Sequence, residues 1–191
     1  MRLTFARTLT SSLSTPMLSH VAGTASGRSR LVELATREDI ARITEIYNHA
    51  VLHSKVTAEW EPNTADQRLE WFEKREKAGY PTLVTRDNGV VSGWASLSPY
   101  NPRRGYQYTA EDSVYIAPEA QGQGLGTLLL NEIIAIAREK QFHLLFAGMD
   151  SENIGSIKLH EKFGFVKAGH YHEMVFKFGR WLDVVHYELR L

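Results

Sequence analysis

The chain has 191 residues, 22 Lys+Arg against 22 Asp+Glu for a formal net charge of zero, and no cysteine. That length allows one domain, or one domain with a tail. The balanced charge argues against a nucleic-acid partner held by bulk counterion release, and the missing thiol excludes disulfides, thiolate zinc sites and a cysteine nucleophile. No run approaches ~18 consecutive apolar residues, so no membrane span is expected.

Residues 1–32 contain Arg2, Arg7, Arg28 and Arg30, many Ser and Thr, and no acid before Glu33. Residues 1–30 therefore read as a flexible or targeting-like tail, or as a start placed too far upstream, with the folded domain over 31–191. A cytoplasmic location is the expectation, with organelle targeting through the tail as the alternative.

Leu31–Ala35 alternates like a strand. Thr36-Arg-Glu-Asp39 resembles a capping box that opens a helix with Ile40, Ile43, Ile46 and Tyr47 on one face. Thr64-Ala-Asp-Gln67 repeats the signal before Leu69, Trp71 and Phe72, and Gly79 is a natural stop. Strands are predicted over Thr82–Arg86, Val90–Leu97 and Tyr106–Ile116, the first two joined by the hairpin turn Asp87-Asn-Gly89. The loop Ser98–Gly105 carries two prolines and two arginines. Gly124–Lys140 is the strongest helix, with Leu125, Leu128, Leu129, Ile133, Ile136 and Ala137 on one face. Phe142–Met149 reads as a strand, Asn153–Phe163 as a helix stopped by Gly164, and Phe165–Ala168 and Trp181–Leu191 as closing strands. About seven strands and four helices make one mixed α/β domain.

The most informative stretch is Ser113–Gly126, where a strand enters the glycine-rich turn Gln121-Gly-Gln-Gly-Leu-Gly126 and the turn opens the long apolar helix. Glycines admit a ligand close to the backbone, and the free N–H groups and dipole of a helix start favour phosphate oxygens. A ligand with a pyrophosphate is expected there. A dinucleotide loop would read G-x-G-x-x-G near the first strand, but here Thr127 takes the last glycine position and the motif lies mid-chain. A Walker loop would need Gly-Lys-Ser/Thr, which is missing.

On these residues the sequence resembles the GNAT superfamily of acetyl-CoA-dependent N-acetyltransferases. Its Q/R-x-x-G-x-G/A motif matches Gln121–Gly126, and its last helix and following strand match Asn153-x-x-Ser156-x-x-Leu159-His160-x-x-Phe163-Gly-Phe165. Ile46–Ala50, Tyr80–Val84, Tyr108–Ile116, Leu159–Glu161 and Lys177–Asp183 look like the phosphinothricin and methionine sulfoximine N-acetyltransferase subfamily. The resemblance implies a GNAT fold splayed between its fourth and fifth strands. It also implies acetyl transfer from acetyl-CoA to the α-amine of a small methionine- or glutamate-like amino acid, a detoxification chemistry.

By that resemblance Val114, Tyr115 and Ile116 bond the pantetheine arm through their backbones. Gln121, Gly122, Gln123, Gly124, Leu125, Gly126 and Thr127 hold the pyrophosphate, and Asn153 meets the arm with Ser156 nearby. Glu111 is implied as the base that takes the proton of the amine, which is mostly protonated at neutral pH. His160 stands where many relatives place a tyrosine acid, and the subfamily pattern carries His there, so it is implied as the second catalytic residue, able to serve as acid or base at neutral pH. Without a cysteine, the expected route is direct attack, with amides around Ile116 polarising the thioester carbonyl. Arg103 suits bidentate capture of a carboxylate or phosphinate, with Tyr106 adding a hydroxyl, and both align with substrate contacts. Asn101, in the same loop, departs from the basic residue that relatives carry.

His143, His170, His172 and His186 show no metal-ligand spacing, so no metal is expected. The subfamily habit implies a homodimer, with Phe178–Trp181 as a candidate contact. The competing functions are acetylation of protein N-termini, lysines or another amine, and a non-catalytic acyl-CoA sensor. Glu111 opposes the sensor.

Overall fold

A computed structural model describes residues 21–22 and 30–191 of the chain. Its strands are β1 (Val21–Ala22), β2 (Arg30–Leu34), β3 (Thr82–Asp87), β4 (Val90–Pro99), β5 (Thr109–Ile116), β6 (Leu144–Asp150), β7 (Val166–Lys177) and β8 (Arg180–Arg190). Its α-helices are α1 (Ile40–His53), α2 (Ala65–Lys77), α3 (Leu125–Glu139) and α4 (Ile154–Lys162). The strands form one sheet in the order β1-β2-β3-β4-β5-β6-β8-β7. Every pairing is antiparallel except that of β5 with β6.

The two-residue β1 adds to the edge of β2 through Val21↔Leu31 and Ala22↔Arg30. Seven main strands and four helices agree with the expected mixed fold. Of the expected tail, only Val21–Ala22 and Arg30 fall within the described residues. No helix among the described residues is long and apolar enough to cross a membrane.

Both capping boxes form. The Asp39 carboxylate accepts from the Thr36 N–H at 2.9 Å. Thr64 accepts from the Gln67 N–H at 3.2 Å, and Gln67 accepts in return from the Thr64 N–H at 2.8 Å. These bonds satisfy helix-start donors that otherwise have no intrahelical partner.

On one face of the sheet, Ile40, Ile43 and Ile46 of α1 and Phe72 of α2 pack on Val84, Val91 and Trp94. On the other, Leu129, Leu130, Ile133 and Ala137 of α3 pack on Leu83, Ala95, Leu97, Ala110 and Leu145, with Leu159 of α4 alongside. Apart from Leu130, the helix residues are those of the apolar stripes read from the sequence, packed against the two sheet faces.

Two strands differ most from expectation. β5 starts at Thr109, because Arg104–Tyr106 makes a 3-10 turn in the loop before it. β7 extends to Lys177, well past Ala168. It is exposed along most of its length, so it lacks the alternation that marks a half-buried strand. Its pairing with β8 also shifts register at Lys167/Gly169 and Tyr171/Val175.

Candidate active site

The site begins where a strand pairing ends. β5 pairs with β6 only through Thr109↔Leu144, Ala110↔Leu145 and Glu111↔Phe146. Beyond Glu111, β5 continues along β4 to Ile116, while β6 continues along β8 to Asp150. The two strands diverge into a gap that belongs to a cavity of about 950 Å³. This is the expected splay between the fourth and fifth main strands.

Main-chain groups alternate sides along a strand, which fixes what β5 offers the gap. The Tyr108 carbonyl accepts from His143 and Leu144, toward β6. The Thr109 carbonyl accepts from Tyr100 and the Ala117 N–H donates to Ser92, both toward β4. Val114 and Ile116, beyond the last shared pair, therefore turn their backbone groups into the gap, whereas those of Tyr115 face β4. The Tyr115 ring stacks on Trp94 at 4.6 Å between centroids, and burial pushes its phenol well above the usual range. Tyr115 thus lines the cavity as a packed aromatic, not as a backbone partner.

Gly122, Gly124, Gly126, Gln121 and Thr127 line the same cavity, while Gln123 and Leu125 of the turn do not. Gly124 caps α3 in the left-handed region, φ 81°, which glycine adopts without the clash a Cβ would bring. Nothing lies within 4 Å of where a Cβ would sit on Gly122 or Gly124, so the turn opens onto space. The α3 N-terminus points its first N–H groups there. The Gln121 side chain reaches back to the Ile116 carbonyl at 3.5 Å, and the Asn153 oxygen caps α4 by accepting from the Ser156 N–H at 3.1 Å. Asn153 and Ser156 complete the wall on the α4 side.

Glu111 sits at the closed end of the gap. An added Cβ on Gly148 would lie 3.9 Å from Glu111 Oε1, 3.7 Å from the Phe146 ring and 3.7 Å from the His186 ring, so these groups ring a small space over Gly148. Burial, and then the neighbouring Asp112 charge, push the Glu111 carboxyl up, while the Arg75 charge pulls it partly back. Burial also holds His186 below its ordinary value. Phe146 stacks edge-on to His186 at 4.6 Å, and Tyr100 packs on Phe146 at 4.7 Å and on Tyr106 at 5.5 Å. Tyr106 therefore reaches the cavity only indirectly, through Tyr100 and Phe146. Arg103 is exposed, its N–H bonded to Asn101 Oδ1 at 3.0 Å. Asn101, Arg103 and Tyr106 lie on the loop beside the cavity and not in its wall.

His160 is buried against the opposite face of β5. Its Nε2 lies 3.1 Å from Asp112 Oδ2, and its Nδ1 donates to the Ser156 carbonyl at 2.7 Å. Burial lowers its affinity for a proton, but the Asp112 carboxylate and the Ser156 carbonyl outweigh that and raise its pKa. Both ring nitrogens are engaged, so donating a proton elsewhere requires breaking one of two buried bonds.

Phe146, Gly148, His186 and Arg75 were not signalled by any motif, and only the strand register or the packing places them near Glu111. Lys177 was missed as a functional residue too. Its buried ammonium donates to the carbonyls of Ser54 and Thr57 at 3.0 and 2.8 Å. That clasp holds the loop after α1, which forms another wall of the cavity.

The profile of the acetyltransferase (GNAT) family matches residues 30–165. An L-methionine sulfoximine/L-methionine sulfone acetyltransferase of Salmonella typhimurium is 45% identical over 162 residues, covering 84% of this chain and 94% of that protein. The solved structure of the acetyltransferase yncA from Salmonella typhimurium, with its cofactor acetyl-CoA, superposes with a TM-score of 0.83 at 43% identity, over 85% of this chain and 94% of that one. A phosphinothricin acetyltransferase from Sinorhizobium meliloti, in complex with acetyl-CoA, superposes with a TM-score of 0.83 at 34% identity, over 85% and 88% of the two chains. A gap flanked by free strand amides and a glycine turn at a helix start suits the pantetheine and pyrophosphate of the cofactor in those structures. The chain belongs to the GNAT family of acetyltransferases.

Proposed function

We propose that the protein moves acetyl from acetyl-CoA to the α-amine of a small amino acid or analogue of the methionine sulfoximine, methionine sulfone or phosphinothricin type. The attack is direct, with Glu111 as general base. The reading is carried by the position of Glu111, a half-buried carboxylate at the closed end of the gap with its pKa raised toward that of the amine it serves. The names of the similar acetyltransferases support the substrate class. So does the small aromatic enclosure of Tyr100, Phe146 and His186, which fits a compact acceptor better than a peptide.

Acetyl-CoA lies along β5 with its pyrophosphate at Gln121–Thr127. At ~3.4 Å per residue, the Ile116 amide is ~17 Å along the strand from Glu111, and the Val114 amide only ~10 Å. Val114 is therefore the gap-facing amide suited to polarise the thioester carbonyl, while Ile116 holds the arm nearer the turn. The neutral amine attacks that carbonyl, Glu111 takes its proton directly or through water, and the thiolate leaves with the pantetheine. His160 acts as a positioning residue that ties β5 to α4. Acetylation would block the amine of an inhibitory amino acid, which fits a detoxifying role. The exposed Phe178 and Trp181 at the tip of the β7–β8 hairpin support a homodimer, which sedimentation of the wild type and Trp181→Ala checks.

The test is release of free CoA thiol from acetyl-CoA with phosphinothricin, methionine sulfoximine and methionine sulfone, compared with spermidine and lysine and N-terminal peptides. The chain itself contributes no thiol. Fast release with one of the first three, lost in Glu111→Gln, supports the proposal. Preference for a peptide, or silence with all acceptors despite acetyl-CoA binding, overturns it.

A further inference from the structure

Two imidazoles outside the cavity and one carboxylate at its rim converge on the β7–β8 hairpin. His170 Nε2 lies 3.0 Å from Asp183 Oδ2, and His172 Nδ1 lies 2.8 Å from the same oxygen. One ligand atom from each residue falls within 4.8 Å of the other two. The register explains the convergence: between the pairs Tyr171↔Val184 and Val175↔Leu182, three residues of β7 oppose the single residue Asp183. The bulge turns Glu173 into the left-handed region, φ 52°, and its N–H donates to Asp183 Oδ1 at 2.9 Å. That bond fixes the carboxylate and leaves Oδ2 aimed between the two imidazoles. Lys167 Nζ lies 3.5 Å from the other nitrogen of His170, an exposed contact at the limit of hydrogen-bond distance.

We propose that His170, His172 and Asp183 bind a divalent transition-metal ion of the zinc class, at a site separate from the acetyl-transfer machinery. Two imidazole nitrogens and a carboxylate oxygen are the donors such an ion prefers, and three protein ligands leave a position for water. Ligand atoms about 2.0–2.1 Å from a tetrahedral zinc stand ~3.3 Å apart. The two contacts at Asp183 Oδ2 need to open by only a few tenths of an ångström to admit the ion. Each imidazole would bind in its neutral form, the proton now shared with Asp183 Oδ2 moving to its other ring nitrogen. His172 is largely exposed, so an ion reaches it without displacing packed side chains. Asp183 also lines the cavity, which places the ion at the edge of the cavity. None of this depends on which acceptor the enzyme uses.

Cobalt(II) is the probe, titrated into the full chain purified without a histidine tag, with zinc competition followed by calorimetry. The expected result is saturable visible absorption of a low-coordinate cobalt site at one ion per chain, displaced by zinc. His172→Ala is expected to weaken it by more than the ~10–100-fold that losing even a supporting partner of a ligand causes. His172 is exposed, so the variant keeps its fold. His170→Gln should behave alike, and both should leave acetyl-CoA binding unchanged. Absence of saturable cobalt absorption, or equal affinity in the wild type and His172→Ala, overturns the site.

Discussion

Asp112→Ala tests the buried pair that ties β5 to α4. The Asp112 and His160 side chains are only 1% and 5% exposed and meet at 3.1 Å. Removing one partner of a buried ion pair leaves the other charge uncompensated and costs about 3–5 kcal/mol. For a chain of this length each kcal/mol moves Tm by ~2–4 °C, so Asp112→Ala is expected to lower Tm by ~6–20 °C. Asp112→Asn keeps the shape and one hydrogen bond, so its loss should be smaller.

The sign with pH is fixed by the raised pKa of His160 in the folded protein. A group whose folded pKa is raised contributes stability that is fully present below its unfolded value, ~6.5, and is lost as pH rises through the folded pKa. The Tm gap between the wild type and Asp112→Asn should therefore be widest near pH ~5.5 and shrink above the folded pKa, because the variant leaves burial to oppose the imidazolium. Thermal melts across pH, with an NMR titration of the His160 ring, measure both quantities. A gap that is flat with pH, or that widens in alkali, would refute a charged Asp112–His160 pair.

Other expectations concern separate parts of the site. If Glu111 is the base, kcat/KM should fall as pH drops through its raised pKa. Because the Arg75 charge pulls that pKa down, Arg75→Met should move the acidic limb to higher pH at saturating acetyl-CoA. Gly148→Ala puts a methyl into the space ringed by Glu111, Phe146 and His186. Its nearest neighbours stand at 3.7–3.9 Å, ordinary contact distances, so the fold should keep its stability, while the methyl takes space from the acceptor and should raise the acceptor KM with acetyl-CoA affinity unchanged. Lys177→Met orphans the Ser54 and Thr57 carbonyls, with an expected loss of ~2–4 kcal/mol in chemical denaturation. Thr64→Ala removes one half of the α2 capping box and should cost ~1 kcal/mol in the same assay.

What was legible in the sequence was local. The stripe Leu125–Ala137, the boxes at Thr36 and Thr64, and the glycines before α3 are each written within a few consecutive residues, so periodicity and turn chemistry find them. β7 was largely illegible past Ala168, because a strand exposed along most of its length and bulged twice shows no alternation. The space around Glu111 was half legible. Glu111 stands in a motif, but Phe146, Gly148 and His186 come from β6 and β8 and meet it only through the registers Glu111↔Phe146 and Gly148↔His186. His160 was visible as a motif residue, yet its partner lies 48 positions earlier on β5. The cluster at Asp183 escaped for the same reason, since its imidazoles reach the carboxylate across a hairpin and a bulge.

Why the sheet opens after Glu111 has a physical reading in those contacts. A strand that leaves its neighbour exposes backbone donors and acceptors that demand partners, so the divergence of β5 from β6 is costly unless side chains enforce it and a ligand completes it. Asp112, the first residue beyond the shared pairs, points into the α3–α4 layer and is held there by His160, whose other nitrogen is anchored to the Ser156 carbonyl. The wedge thus stands at the fork, with Glu111 on the opposite side of the same strand. Beyond it, the gap-facing amides of Val114 and Ile116 wait for a partner that runs as a strand would, ending at phosphates on the α3 N-terminus. Acetyl-CoA is a ligand of that shape, and its binding should therefore stabilise β5 and α4 together. Hydrogen exchange offers the check: slowed exchange at Val114 and Ile116 on binding, reduced in Asp112→Asn, is the expected outcome, and unchanged exchange there would contradict the wedge.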